Sequence, residues 1–173
     1  MTRRLLVAVA LVGLMAAVPL SRAGAATQTT RDVTLIADPT VTVGTSTLTR
    51  TTSRISMSLQ TSRLPAGHAV TVWWMVVNPD AAAPSVLYAA GHVVDASGTA
   101  EFGGALREGD TKGLVSLPGL STAGLLDAEG ADVSLVVRDH GLAKRGIVHQ
   151  QIHTFDVCNP TCTDLQMSVH LAG

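Results

Sequence analysis

Apolar residues along this chain recur at every second position in short runs, and turn-forming residues separate the runs. A period of two marks half-buried β-strands; amphipathic helices repeat every three to four residues, a spacing that no long stretch sustains here. The run that organises the rest is residues 68–79, H-A-V-T-V-W-W-M-V-V-N-P. Leu64-Pro65-Ala66-Gly67 opens it and Asn78-Pro79 closes it. Val70, Val72, Trp74 and Val76 share one face of this strand, and Thr71, Trp73, Met75 and Val77 share the other. Both faces are largely apolar, which predicts a central strand covered on one side and partly on the other, with Trp74 the deeper indole.

The same reading places a short strand at residues 33–37 after a polar leader at 27–30, and an alternating strand over 47–60. In the latter, Ile55, Met57 and Leu59 oppose Arg54, Ser56 and Ser58. Residues 85–94 and 99–106 read as a hairpin around Asp95-Ala96-Ser97-Gly98. Residues 107–131, rich in Gly and Leu, are the least strand-like part. They are expected either to be functional or to pack as a cover over the sheet, with one helical turn at 121–126. Strands follow at 132–138, 146–156 and 165–171. About eight strands with short connections predict an all-β fold, a single antiparallel β-sandwich with Greek-key connections.

Residues 132–156 are expected to form one hairpin. Val133, Leu135 and Val137 would point into the core with Val148 and Ile152, while His149, Gln151 and His153 lie on the outer face beside Asp132, Ser134 and Val136.

Ahead of the strands, Arg3 and Arg4 precede an apolar run over residues 5–20, and small residues follow Arg22. That is the pattern of a secretory signal ending near Ala26; the alternative is an anchor, for which the run is shorter than the roughly 20 residues a bilayer requires. The expected organisation is a signal peptide at 1–26, a leader with a first short strand at 27–45, and a β-sandwich domain at 46–173. Removing Arg3, Arg4 and Arg22 leaves 9 basic against 13 acidic residues, a net charge of −4. This disfavours nucleic acid or an anionic membrane as partner, and no stable membrane insertion is expected after signal removal.

The pieces Leu64-Pro65-Ala66-Gly67-His68 with Thr71 and Trp73, then Ala90-Gly91-His92-Val93, Leu135-Val136-Val137-Arg138 with His140-Gly141, and Gln151-Ile152-His153-Thr154-Phe155 resemble a family of uncharacterised secreted bacterial β-sandwich proteins. The resemblance runs from about residue 46 to 170 and implies secretion and the fold class, but no activity. The chain departs from that pattern with Asp80-Ala81-Ala82-Ala83 after Asn78-Pro79, where Glu and Cys residues would stand, and with Leu142 after His140-Gly141 in place of Pro.

Few residues remain for chemistry. Cys158 and Cys162 are the only cysteines; in an oxidising compartment they form one disulfide, and the alternative is half of a zinc site completed by histidines. Of six histidines, His149 and His153 would stand about 13 Å apart along a strand, too far to share an ion. A metal site would therefore draw on His92, His140, His149, His153 and Asp132 from neighbouring strands; otherwise these are solvated or strand-end residues. No cofactor is implied beyond that conditional metal ion. No G-x-S-x-G, H-E-x-x-H, P-loop or dinucleotide-binding glycine motif is present, and aromatic residues are 3% of the chain. The expectation is a secreted, non-catalytic domain for binding or envelope structure, of undetermined ligand, with a histidine-based metal or redox enzyme as the alternative.

Overall fold

A computed structural model describes residues 25–173, so the candidate signal segment lies outside the described residues. Eight strands, β1 (Thr27–Leu35), β2 (Thr42–Thr51), β3 (Arg54–Thr61), β4 (His68–Val77), β5 (Ser85–Val93), β6 (Ala100–Arg107), β7 (Asp132–Leu142) and β8 (Thr163–His170), build one antiparallel sheet. One four-residue helix, α1 (Val148–Gln151), interrupts the last connection. The order is β5-β4-β7-β8-β1-β2-β3-β6. The sheet curls until β5 and β6 face each other, so the all-β expectation holds, as a nearly closed barrel rather than two clear sandwich layers.

The expected hairpin of residues 85–106 is a connection without a ladder. β5 pairs with β4, β6 pairs with β3, and the turn at Asp95 spans the seam between them. Asp95 accepts hydrogen bonds from the Ser97 backbone and hydroxyl, and His92 lies against Phe102 across the seam, ring centroids 5.2 Å apart.

Three other expectations change. Residues 27–30 are no leader; they open β1, whose threonines suit an extended backbone and whose ladder to β2 starts at Thr27↔Arg50. The single strand at 47–60 is two strands, because the polar Thr52-Ser53 pair makes a tight turn inside the alternation. Residues 146–156 form no strand. α1 takes their place, so the expected hairpin of residues 132–156 is absent, and β7 pairs with β4 and β8. Val148 and Ile152 are only half-buried, and the buried residue is Gln151, which was expected outside.

Inside the barrel, Val70, Val72, Trp74 and Val76 of β4 meet Val133, Leu135 and Val137 of β7 and Ile55, Met57 and Leu59 of β3. These are the faces that alternation assigns to the core. Opposite them β8 is reversed. It sends Gln166, Ser168 and His170 inward and leaves Val169 exposed. Each inward polar group is satisfied. Thr61 Oγ1 donates to Gln166 Oε1, and Gln166 Nε2 donates to Ser62 O. Ser46 Oγ donates to Ser168 Oγ and sits 2.8 Å from His170 Nε2, while Thr29 Oγ1 sits 2.8 Å from His170 Nδ1. Because the one Ser46 proton goes to Ser168, His170 donates from Nε2 and accepts from Thr29 at Nδ1. Arg50 reaches across the barrel end to donate to Ala128 O and His170 O.

Candidate functional site

Two long connections lie over the outer face of β4, β5 and β7, and the region between them is the candidate site. Residues 108–131 form a cover without the expected helical turn at 121–126. Their backbone extends β5, with Tyr88 N donating to Gly113 O and Val115 N to Val86 O. Asn78 holds their far end, donating to Gly124 O and accepting from Leu126 N, and Leu125, Ala128 and Ala131 belong to the main core.

Residues 143–162 come from the other side. Gln151 anchors them: its side chain donates to His140 O and Leu142 O and accepts from Lys144 N. Tyr88 donates its phenol proton to Ile152 O, and burial pushes its pKa up, which keeps the proton in place. Gly91 permits this approach; a Cβ there would lie 2.4 Å from Ile152 O.

Where the two covers meet, Trp73 stands between Tyr88 and Phe155, with ring centroids 5.6 and 5.0 Å away, both edge-on. Arg138 is stacked 4.1 Å from the Phe155 centroid and is held by Phe155 O and Asp164. Beside this cluster runs a crevice of about 310 Å³, walled by Trp73, Leu114, Val115, Leu117 and Phe155, with His153 and Asp156 at its polar edge. His153 Nδ1 donates to His149 O at 2.7 Å, which leaves the Nε2 lone pair as its accepting end.

Beneath Trp73 lies a fully enclosed relay. Trp73 Nε1 donates to Thr71 Oγ1, which lies 2.8 Å from His140 Nε2, and His140 Nδ1 lies 3.0 Å from Val157 O. A carbonyl only accepts, so the proton of the neutral ring is on Nδ1, and Thr71 donates to Nε2. Burial holds the His140 pKa below its ordinary value, so the ring is neutral near pH 7.

The disulfide Cys158–Cys162 closes against this ring, with Cα atoms 5.3 Å apart as expected for a bonded pair. Cys162 Sγ is 3.3 Å from His140 Nδ1. The loop is also pinned by backbone: Asn159 N donates to His140 O at 2.7 Å, and Gly141 bridges to Asn159. Gly141 has φ +78°, and an added Cβ would meet Asn159 O at 2.0 Å. Gly141→Ala is therefore expected to lose about 2 kcal/mol in a urea titration. A loss below a few tenths would show that the loop shifts freely.

The proposed metal ligands do not converge. Asp132 and His140 are eight residues apart on β7, about 26 Å along a strand. Asp132 instead accepts from Ala172 N. His92 lies at the seam, inward-facing opposite Val70. His149 and His153 are not 13 Å apart; α1 and the turn after it stack their rings 4.4 Å apart. Ring lone pairs lie in the ring planes, so two nearly parallel stacked rings do not aim at one ion. Among the described residues, the one set of three that brings ligand atoms within 4.8 Å of one another is His140, Cys158 and Cys162, and the closed disulfide leaves no thiolate to bind a metal.

Gln151, Thr71, Phe155 and Arg138 were not singled out from the sequence as site residues. In comparisons with protein-family models, curated proteins and solved structures, nothing matches this chain. Fold and site together define an all-β, barrel-like protein with an aromatic crevice between two long connections. No helix among the described residues is long and apolar enough to cross a membrane.

Proposed function

We propose that this chain is a secreted, non-catalytic binding domain whose ligand seat is the crevice beside Trp73 and Phe155. The observation that carries this reading is the crevice itself: about 310 Å³, apolar and aromatic walls, and a few polar groups at one edge. Small-molecule seats have this size and this composition. The N-terminal charge and apolar pattern and the disulfide support secretion.

The polar edge favours one ligand chemistry. His153 Nε2 and the Asp156 carboxylate both accept hydrogen bonds, so the fitting molecule has an apolar or aromatic body and an N–H or ammonium head. Leu117, half exposed on the crevice wall, supplies contact without holding the fold.

The test uses 2-phenylethylammonium and 3-phenylpropionate as probes in a two-dimensional NMR titration. The ammonium is expected to shift the Trp73 indole N–H saturably, with Leu117→Asp weakening it about tenfold. No saturable shift with either probe overturns the crevice as the seat, and tighter binding of the carboxylate overturns the choice of head group.

A further inference from the structure

The surroundings of His140 carry a chemistry that a binding domain does not need. We propose that Cys158–Cys162 is an exchange-active disulfide: the thiolate of a low-mass thiol attacks Cys158 Sγ, and the Nδ1–H of His140 receives the departing Cys162 sulfur.

Three independent features support this. First, the relay through Thr71 and Trp73 fixes which nitrogen of His140 carries the proton, and that nitrogen is the one 3.3 Å from Cys162 Sγ. That N–H donates to Val157 O at 3.0 Å in the closed form; a thiolate formed 3.3 Å away is the stronger acceptor and draws the same proton toward itself. Second, both cysteines are only partly buried, so the disulfide can be reached from solvent, and Cys162 is the sulfur that lies against the buried His140. Attack on Cys158 is therefore the direction that places the departing sulfur beside the imidazole. Third, Asn159 ties the loop to β7 through His140 O and Leu142 O, so opening the disulfide leaves both cysteines beside the imidazole.

The steps balance. A thiolate R–S⁻ forms a bond to Cys158 Sγ, the S–S bond breaks, and its electron pair goes to Cys162 Sγ. A second R–S⁻ attacks the R sulfur of the mixed disulfide, releasing the Cys158 thiolate and R–S–S–R. Two protons from solvent complete two cysteine thiols. The protein disulfide is reduced by two electrons, and two small thiols are oxidised to one disulfide. Accommodation at the crevice is not required, so this chemistry stands or falls separately from the binding reading.

Reduced glutathione is the probe, with free thiols counted by maleimide labelling and intact mass. The folded protein is expected to take two labels after exposure, and the first glutathione adduct is expected on Cys158. Cys162→Ser should accumulate that adduct with oxidised glutathione. His140→Gln should slow exchange about tenfold in the folded protein, yet leave the rate in concentrated urea equal to that of the wild type. Thr71→Val, which removes the hydroxyl that pins the ring, should slow it in the same sense and serves if His140→Gln does not fold. Reduction only under unfolding conditions, a first adduct on Cys162, or folded-state rates unchanged in either variant would each overturn the proposal.

Discussion

Trp74→Ala is expected to destabilise the protein by about 3–5 kcal/mol in a urea or guanidinium titration, the largest loss of any single truncation in the chain. Its indole is 0% exposed and belongs to the main core with Val70, Val72, Val76 and Leu135. Protein interiors are close-packed and relax only in part, so much of the removed volume remains as a cavity. Trp73 is nearly as inaccessible, at 3%, but it belongs to the small outer cluster and borders an open crevice. Water can enter where its ring is deleted. Trp73→Ala should therefore cost less globally, while its near-ultraviolet signal reports loss of order in the two covers. Equal losses for the two substitutions would mean that the outer cluster and the barrel unfold as one unit.

Acid should weaken the fold well above the pH at which carboxylates protonate, and His170 is the reason. Burial, with smaller contributions from Arg50 and Arg31, lowers its pKa from 6.5 to about 4. Below pH 6.5 the unfolded chain takes up a proton that the folded chain refuses until about pH 4. Stability thus rises with pH across this window and is lost as pH falls through it. The single group accounts for about 3 kcal/mol between those limits, a large part of the 5–15 kcal/mol typical of a domain. His140, also lowered by burial, acts in the same direction. Denaturant titrations at pH 7, 5.5 and 4.5 check this, and His170→Gln should flatten the slope. A wild-type stability that is level between pH 7 and 4.5 would contradict the assigned neutral network of Thr29, Ser46, His170 and Ser168.

The apolar faces of β4 and β7 were readable because alternation reports burial directly. Val70 to Val76 and Val133 to Val137 lie where a period of two puts them. β1 and β8 were not readable in that way. β1 is polar along most of its length and is held by its ladder to β2 and by Thr29 on His170, long-range pairings that no local pattern announces. β8 alternates well, but Met167 and Val169 alternate with the inward His170, Ser168 and Gln166, which find hydrogen-bond partners inside. At residues 146–156, Val148 and Ile152 fit a strand and a helical turn equally. The decision rests on Gln151, whose amide satisfies three backbone groups of the neighbouring turn. The disulfide followed from compartment and count, whereas the nearness of His140 to it depends on the Gly141–Asn159 bridge, a contact between residues 18 apart.

The position of β8 between β7 and β1 sets the order of events when the chain is made. Thr34 meets Met167, a partner synthesised 133 residues later. At ordinary rates of translation that gap lasts on the order of ten seconds, during which β1, β2 and β3 can form a meander with one side of β1 unpaired. A bare strand edge invites pairing with other chains. Gln28, Thr30, Arg31 and Asp32, all exposed, make that edge polar and charged. The composition that makes β1 look like a leader thus guards a half-made sheet against self-association. Replacing Arg31 and Asp32 with valine should leave the finished protein folded yet increase its aggregation during refolding, read by light scattering on dilution from urea.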